Sequence, residues 1–269
     1  MTEPQFDTPF FNDHGERRVI EIADHRGQPR AYTFPTMFAH TRATMMVFTA
    51  DVERSRELLA ASGADSVWPV RVAFGRCMFA IAAFRYGAIS DGMQGYHEMA
   101  FGIPVDTGRI ALLPALARRF WASFGLYVLD LPVDSEENCR RGTEIWGLPK
   151  TMKQFAIADS PTVREVTLRG SDGLCFRARV PRGGRRTAAS EINRVYSRKA
   201  GQLLLTKSFV DGACWQYFTT SELAARVELE FGATKPYSDF AQLEIDPRPL
   251  MVREFDCLST VLYGPDPVA

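Results

Sequence analysis

Segments with strand character outnumber helical ones by roughly two to one in this chain, and the two kinds do not alternate regularly. Residues 155–158, 163–169 and 174–180 are three of these segments, and Ser-Asp-Gly at 171–173 is typical of a hairpin turn between the last two. The absence of strand–helix–strand repeats favours an antiparallel sheet. We therefore expect an α+β fold, mostly antiparallel β, in which a curled sheet forms a barrel or cone with a few peripheral helices.

Three segments have the features of helices. Residues 51–61 begin with an aspartate that suits an N-cap, and Gly63 after them suits a helix end. Residues 110–124 place leucines and a phenylalanine at helical spacing. Residues 134–141 run from acidic to basic, which is the charge order that a helix dipole favours, and we expect this helix to end near Gly142.

The first 40 residues differ in composition from the rest, being rich in proline, histidine, aspartate and glycine. No linker divides the remaining chain. We predict an N-terminal arm, residues 1–40, and a single domain, residues 41–269. Phe6, Phe10 and Phe11 lie in a segment too polar to form its own core, so we expect the arm to pack on a neighbouring subunit of a homo-oligomer.

Charge and cysteine usage restrict the class of function. The 269 residues carry no net charge, which argues against nucleic acid or a membrane surface as the main partner. The five cysteines include no Cys-x-x-Cys pair, and the four histidines show no metal-ligand spacing. No segment has the features of a signal peptide or a membrane span. We expect a cytoplasmic protein that binds a small molecule and uses no metal or other cofactor.

The segment Glu-Ile-Trp-Gly-Leu-Pro-Lys, residues 144–150, places a lysine at the end of an apolar run. Only five of the 32 basic residues are lysines, so an amine at this position is notable. An amine can attack a carbonyl and form a Schiff base, whereas a guanidinium stays charged and unreactive. Pro149 restricts Leu148 to extended geometry, so Lys150 follows a rigid turn. On these residues alone, a solvated lysine is the commoner alternative.

Two motifs together resemble the acetoacetate decarboxylase superfamily. One is Glu-x-x-x-x-Pro-Lys after a short helix; the other, upstream, is Tyr-His-Glu at residues 96–98 followed by Gly-Ile-Pro-Val at 102–105. In that family the lysine after the proline forms the Schiff base, and the glutamate of Tyr-x-Glu lies in the same pocket. The resemblance covers residues 42–262. It implies a β-cone with Lys150 inside as the nucleophile and Glu98 as the acid/base group.

The resemblance also implies substrate-binding residues and shows two departures. Decarboxylases of the family use an arginine near the first core strand, and Arg42 is its counterpart here. Tyr96 and Trp146, which belong to the two motifs, are expected to contact the substrate. A second lysine follows the Schiff-base lysine in the decarboxylase motif, where this chain has Thr151. A second glutamate, on the strand before Tyr-x-Glu, corresponds to Ala80.

These departures bear on the chemistry. Without a cation at Thr151, desolvation by Trp146, Leu148 and the barrel wall must disfavour the ammonium form of Lys150. The iminium is an electron sink for loss of carbon dioxide, loss of a proton or formation of a carbon–carbon bond. We expect a Schiff-base-forming lyase that decarboxylates a small or medium β-keto acid. Aldolase-dehydratase chemistry, deaminase/dehydratase chemistry on an oxo acid and a non-catalytic small-molecule binding protein are the alternatives.

Overall fold

The computed structural model describes residues 4–14, 17–107, 123–218 and 226–268, and the helix predicted at residues 110–124 lies almost wholly outside these ranges. The described helices are a 3-10 turn, Pro4–Phe6, and four α-helices: α1 Pro9–Asn12, α2 Val52–Ala61, α3 Glu136–Trp146 and α4 Tyr237–Ala241. None of the described helices is long and apolar enough to cross a membrane. The strands are β1 Arg18–Ala23, β2 Pro29–Phe34, β3 Thr36–Asp51, β4 Trp68–Pro69, β5 Arg71–Ala73, β6 Arg76–Arg85, β7 Ala88–Ile89, β8 His97–Asp106, β9 Gly125–Val133, β10 Lys150–Met152, β11 Gln154–Asp159, β12 Val163–Gly170, β13 Gly173–Pro181, β14 Arg185–Lys199, β15 Gln202–Phe218, β16 Glu228–Phe231, β17 Met251–Leu262 and β18 Asp266–Pro267.

Seven of the strands close into a barrel. Their order is β9-β14-β15-β17-β3-β6-β8, and β8 pairs back onto β9. Neighbouring barrel strands are antiparallel except β14 and β9, which run parallel where Val195 faces Leu126. The expected α+β fold with a curled, mostly antiparallel sheet is therefore confirmed. Strand β3 extends well beyond the short run of apolar residues in its middle, because the residues on both sides of that run also pair with neighbouring strands. These neighbours are β6, β7 and β17.

A second sheet, in the order β11-β12-β13-β16, packs against the outside of the barrel. The predicted hairpin turn is confirmed, since Gly170 pairs with Gly173 across it. Successive side chains of a strand point to opposite faces. Phe48 and Phe79 of the barrel therefore share one buried cluster with Phe176 of the second sheet. The other face of each barrel strand is left to line the barrel interior.

The N-terminal arm packs on its own chain. Phe6 and Phe11 are buried against Met37 and Val261 of strands β3 and β17. The expectation that these phenylalanines pack on a neighbouring subunit is therefore wrong, because the barrel itself supplies the apolar surface. The predicted boundary at residue 40 lies within β3, so the arm leads directly into the barrel. The homo-oligomer stays a prediction, which sedimentation of a 30.2 kDa monomer would contradict.

Helix α3 positions the lysine motif. It begins at Ser135, whose side chain accepts a hydrogen bond from the backbone N–H of Asn138, and continues through Gly142 to Trp146. Gly147 ends the helix in the left-handed conformation that favours glycine, with φ of 61°. The helix is therefore longer than expected. Gly142, which was expected at its end, lies in its interior.

Candidate active site

Lys150 and Glu98 form a buried ion pair. Lys150 begins β10, which runs parallel to β9 with Lys150 opposite Leu131. Glu98 lies on β8, opposite Val133 of the same strand β9. The Nζ atom of Lys150 lies 2.6 Å from Oε2 of Glu98, and the two side chains are only 6% and 9% exposed. The fold thus brings the two sequence motifs into direct contact.

Two tyrosines hold the Glu98 carboxylate in place. The Tyr86 hydroxyl donates to Oε1 at 3.0 Å, and the Tyr96 hydroxyl donates to Oε2 at 3.1 Å. Burial, followed by the charge of Glu98, raises the pKa of both tyrosines well above the usual value, so both hydroxyls stay protonated and act as donors. Sequence reasoning missed Tyr86. The alternation Ala82, Phe84, Tyr86 along one strand face could have indicated it.

The Lys150 side chain lies across Gly142 of helix α3. A Cβ atom at position 142 would overlap Cδ and Cε of Lys150 and would lie 3.1 Å from Nζ. Only glycine leaves room for the lysine in this position. Gly142 was expected at the end of the helix, so its contact with Lys150 was not predicted.

Glu98 also lines a cavity inside the barrel with a volume of about 300 Å³. This volume is at the lower limit of the roughly 300–1,000 Å³ that is typical of small-molecule sites. Most of the lining is apolar, with side chains that include Phe38, Met45, Phe84, Ala100, Val128, Leu131, Leu148 and Leu262. Polar side chains lie on β14, β15 and β17 and include Asn193, Thr206, Ser208 and Thr260. The Lys150–Glu98 pair is therefore next to a cavity that a small ligand can occupy.

A second carboxylate is absent from the strand beside Glu98. The residues of β6 that line the cavity on alternate positions are Ala80, Ala82 and Phe84, and Phe84 lies directly opposite Glu98. None of the three is acidic, so a shift in alignment along this strand does not restore the missing glutamate. Glu191 is the other acidic residue in the described lining, and it forms an ion pair with Arg253.

Arg42 does not reach the cavity. Met45 and Val47 of β3 line it, and Thr44 on the opposite face accepts a hydrogen bond from Arg164 outside the barrel. Arg42 shares the face of Thr44, and its side chain is exposed. Arg42 therefore lies on the outer face of the strand, and its expected substrate-binding role stays a prediction. Side chains alternate between the two faces of a strand. An alignment that is uncertain by one residue therefore cannot predict which face of β3 carries Arg42.

Trp146 supports helix α3 and does not line the cavity. Its indole Nε1 donates to the backbone oxygen of Tyr263 at 2.8 Å, and its ring packs edge-to-face on Phe34. The β1–β2 hairpin covers this side of the helix, so the ring is fully enclosed. Tyr96, the other expected substrate contact, holds Glu98 and lies beside Lys150, whose Nζ is 5.3 Å from the ring centre.

Arg141 is a buried cation that sequence reasoning missed. Its guanidinium lies over the rings of Tyr32, Phe34 and Trp146, and it donates to the hydroxyl of Thr36. Burial lowers the pKa of Arg141 to about 10. Arg141 was expected in the last turn of the helix, because the helix was expected to end near Gly142.

Thr151 and Lys153 lie on the other side of the barrel wall from Lys150. The Thr151 hydroxyl interacts with the carboxylate of Asp130, and Lys153 lies close enough to attract that carboxylate. Tyr237 donates to Asp130 at 2.8 Å. Burial raises the pKa of Asp130 to about 6. Lys153 therefore lies near a group outside the barrel and supplies no cation beside Lys150.

One group of described residues brings three potential metal ligands together. Atoms of Asp24, His25 and Glu137 lie within 4.8 Å of one another. Glu137 already accepts hydrogen bonds from Tyr32 and from Arg30, and the His25 ring is 2.7 Å from it. These contacts attach the β1–β2 hairpin to the first turn of α3. The group lies on the outside of the molecule and takes no part in the cavity.

The chain belongs to the acetoacetate decarboxylase (ADC) family, whose sequence model matches residues 25–250. No curated protein sequence matches the chain. Among solved structures, acetoacetate decarboxylase from Legionella pneumophila is similar with a TM-score of 0.63, 15% identity and 87% coverage of each chain. The enduracididine biosynthesis enzyme MppR complexed with pyruvate has a TM-score of 0.60, 13% identity and coverage of 87% of this chain and 90% of its own. An acetoacetate decarboxylase-like enzyme from Sphingomonas wittichii RW1 has a TM-score of 0.57, 17% identity and coverage of 87% and 93%. At these identities, the structural likeness shows a shared fold.

Proposed function

We propose that this protein is a lyase that forms a Schiff base between Lys150 and the keto carbon of a small or medium oxo acid, and that it decarboxylates a β-keto acid. The supporting observation is the buried contact of 2.6 Å between Nζ of Lys150 and Oε2 of Glu98, next to an internal cavity. An amine in this position needs a base to remove its proton, and Glu98 is within direct reach.

The first half of the reaction forms the iminium. Glu98 accepts a proton from the Lys150 ammonium, and the neutral amine attacks the keto carbon to give a carbinolamine. Glu98 then returns the proton to the carbinolamine hydroxyl, and water leaves. Tyr86 and Tyr96 donate to Glu98 throughout and keep its oxygens directed at the amine. Because Nζ of Lys150 and Oε2 of Glu98 are 2.6 Å apart, proton transfer between the two groups is a short local step.

The second half breaks the bond to the carboxylate. The electron pair of that bond moves into the iminium, carbon dioxide leaves, and an enamine forms. Protonation of the enamine carbon and hydrolysis by water then release the ketone and free Lys150. Phe84, Leu131 and Leu148 make the adjacent cavity wall apolar. An apolar wall favours this step because a charged carboxylate becomes neutral carbon dioxide.

Aldolase-dehydratase chemistry is the second candidate, and one observation favours it. The cavity lining on β6 lacks the second carboxylate, since Ala80, Ala82 and Phe84 occupy its alternate positions. In this alternative, the enamine of a 2-oxo acid attacks an aldehyde, and the product then loses water. MppR, which shares the fold, has been solved with the condensation product of pyruvate and imidazole 4-carboxaldehyde.

Reductive trapping tests the proposal. The protein is incubated with acetoacetate, pyruvate or a longer oxo acid, reduced with borohydride, digested and mapped by mass spectrometry. We expect an adduct on Lys150 that is lost in Lys150→Met and kept in the matched control Lys153→Met. An adduct in Lys150→Met would show that the nucleophile is another residue. No adduct with any oxo acid in the wild type would favour the binding-protein alternative, and release of carbon dioxide would separate decarboxylation from condensation.

A further inference from the structure

Three polar side chains on one wall of the cavity make no hydrogen bond with any described residue. They are Asn193 of β14 with Thr206 and Ser208 of β15, and all three line the cavity. Asn193 and Ser208 are directly opposite in the strand register, which places their Cβ atoms about 5 Å apart. Thr206 follows on the same face of β15, two positions from Ser208. The three side chains therefore form one continuous polar strip, here called the β14–β15 strip.

Thr206 and Ser208 are buried, and Asn193 is half-buried. Thr206 is 2% exposed and its Oγ1 has no hydrogen-bond partner, and Ser208 is 8% exposed. A buried hydroxyl without a partner destabilises the fold, whereas valine has the shape of threonine and avoids this cost. The next position on the same face of β15 is in fact Val210. An unpartnered hydroxyl directed into a cavity is therefore explained best by a ligand that supplies the partner.

Thr206 and Ser208 lie across the barrel from Glu98, the partner of Lys150. Glu98 is on β8, and in the ring of seven strands β15 is three strands away from β8. No strand of a seven-strand ring lies farther from β8 than that. A molecule that contacts both Glu98 and these two hydroxyls must therefore extend across the barrel interior.

We propose that the β14–β15 strip binds a neutral hydrogen-bonding group, a hydroxyl or an amide, at the end of the oxo acid that is remote from the keto carbon. This inference rests on the proposed function, because Lys150 holds the keto end. The asparagine amide and the two hydroxyls can both donate and accept hydrogen bonds. The strip contains no cation. Arg194 and Arg253 also line the cavity, but Arg194 is on the opposite face of β14 from Asn193 by strand alternation, and Arg253 is held by Glu191 and by Gln216. The strip therefore selects a neutral polar group over a second carboxylate.

Matched ligands test the specificity. Binding of 2-oxohexanoate and of 6-hydroxy-2-oxohexanoate is measured by calorimetry, in wild type and in the double variant Thr206→Val with Ser208→Ala. We expect the wild type to bind the hydroxylated acid about 10-fold more tightly, and the double variant to lose this preference. The control Ser190→Ala, on the exposed outer face of β14, should keep it.

The two proposals fail in different ways. Equal affinity of the wild type for the two acids, or a preference that survives in the double variant, would overturn the subsite. Calorimetry in Lys150→Met gives the same test without a Schiff base, so it does not depend on the chemistry. Failure of the wild type to trap any oxo acid at Lys150 would overturn the proposed function instead. Thr206→Val alone should also raise the melting temperature, because it removes a buried hydroxyl without a partner.

Discussion

The barrel wall buries charged groups on both of its faces, but in different surroundings. On the outer face, Arg164 donates to both oxygens of Asp159, at 2.6 and 3.2 Å, and lies 3.4 Å from Glu254. On the inner face, Lys150 has Glu98 as its carboxylate partner at 2.6 Å. Arg164 and Glu254 are buried between the barrel and the second sheet, and Asp159 is exposed. The inner pair lies beside a cavity of about 300 Å³.

The difference indicates which buried charges are structural and which can act on a ligand. A cation enclosed by protein carboxylates stabilises one arrangement of the chain and has no room for another molecule. A charge pair next to an open, mostly apolar volume can exchange protons with whatever enters it. We therefore expect substitutions on the outer face to change stability, and substitutions on the inner face to change reactivity.

Glu98→Gln is the strongest test of the inner face. The amide keeps an oxygen for the tyrosine hydroxyls but cannot accept the proton of Lys150. We expect the rate of reductive trapping of an oxo acid to fall by about 10³-fold, the usual contribution of a general base. The measurement is the time course of cyanoborohydride trapping followed by intact mass. Unchanged trapping would show that another group removes the proton.

Arg164→Met is the matching test of the outer face. The substitution removes one cation from the buried Glu254, which keeps Arg182 at 3.1 Å, and removes the partner of the exposed Asp159. We expect the free energy of unfolding to fall by about 3 kcal/mol, measured by urea denaturation. Trapping at Lys150 per folded molecule should stay at the wild-type rate. A fall in trapping without a fall in stability would contradict the division between the two faces.

Gly142→Ala alters the inner face without removing a charge. The added methyl group would overlap the Lys150 side chain and displace its amine from Glu98. We expect trapping to slow on the order of 100-fold, the effect of a misplacement of about 1 Å. Alanine is favoured over glycine in a helix by about 1 kcal/mol, so the substitution does not weaken helix α3 through helix propensity. Gly147→Ala, at the left-handed helix end, is the control that should lower stability instead.

The parts of the fold that depend on local signals could be predicted from the sequence. The hairpin between β12 and β13, the cap of α2 at Asp51 and the strand that carries Glu98 each follow from neighbouring residues. The contact between Lys150 and Glu98 was available from the two motifs together. These motifs are short, but each identifies one residue, Lys150 or Glu98, from the residues next to it in the sequence.

The parts that depend on which face a residue occupies could not be predicted. Arg42 was expected inside the barrel, but it is one register position away from the face that lines the cavity. Arg141 and Gly142 were assigned to a helix end that lies at Trp146, because a glycine after two arginines is a typical stop signal. The sequence pattern does not show that the β1–β2 hairpin and Lys150 cover this helix, and those contacts decide where each side chain lies.

Asp130→Asn is the smallest expected effect, and it tests the outer face directly behind Lys150. Burial raises the pKa of Asp130 from 3.8 to about 6, so the folded state favours the protonated carboxyl. The stability that protonation contributes is complete below pH 3.8 and is lost as the pH rises through about 6. At pH 7.5 the ionised carboxylate therefore costs the fold up to about 3 kcal/mol, since each pH unit of separation corresponds to about 1.4 kcal/mol.

Asparagine cannot ionise, yet it keeps an oxygen for the Tyr237 hydroxyl. We expect Asp130→Asn to stabilise the protein by about 1–3 kcal/mol at pH 7.5 and to have little effect near pH 4, as measured by urea denaturation at both values. Asp246→Asn is the control of opposite sign, because Arg248 lowers the pKa of Asp246 and its charge is favourable at neutral pH. Trapping at Lys150 should be the same in both variants. Asp130 interacts with Thr151, the residue after Lys150, so a change in trapping would show that the two faces are coupled through β10.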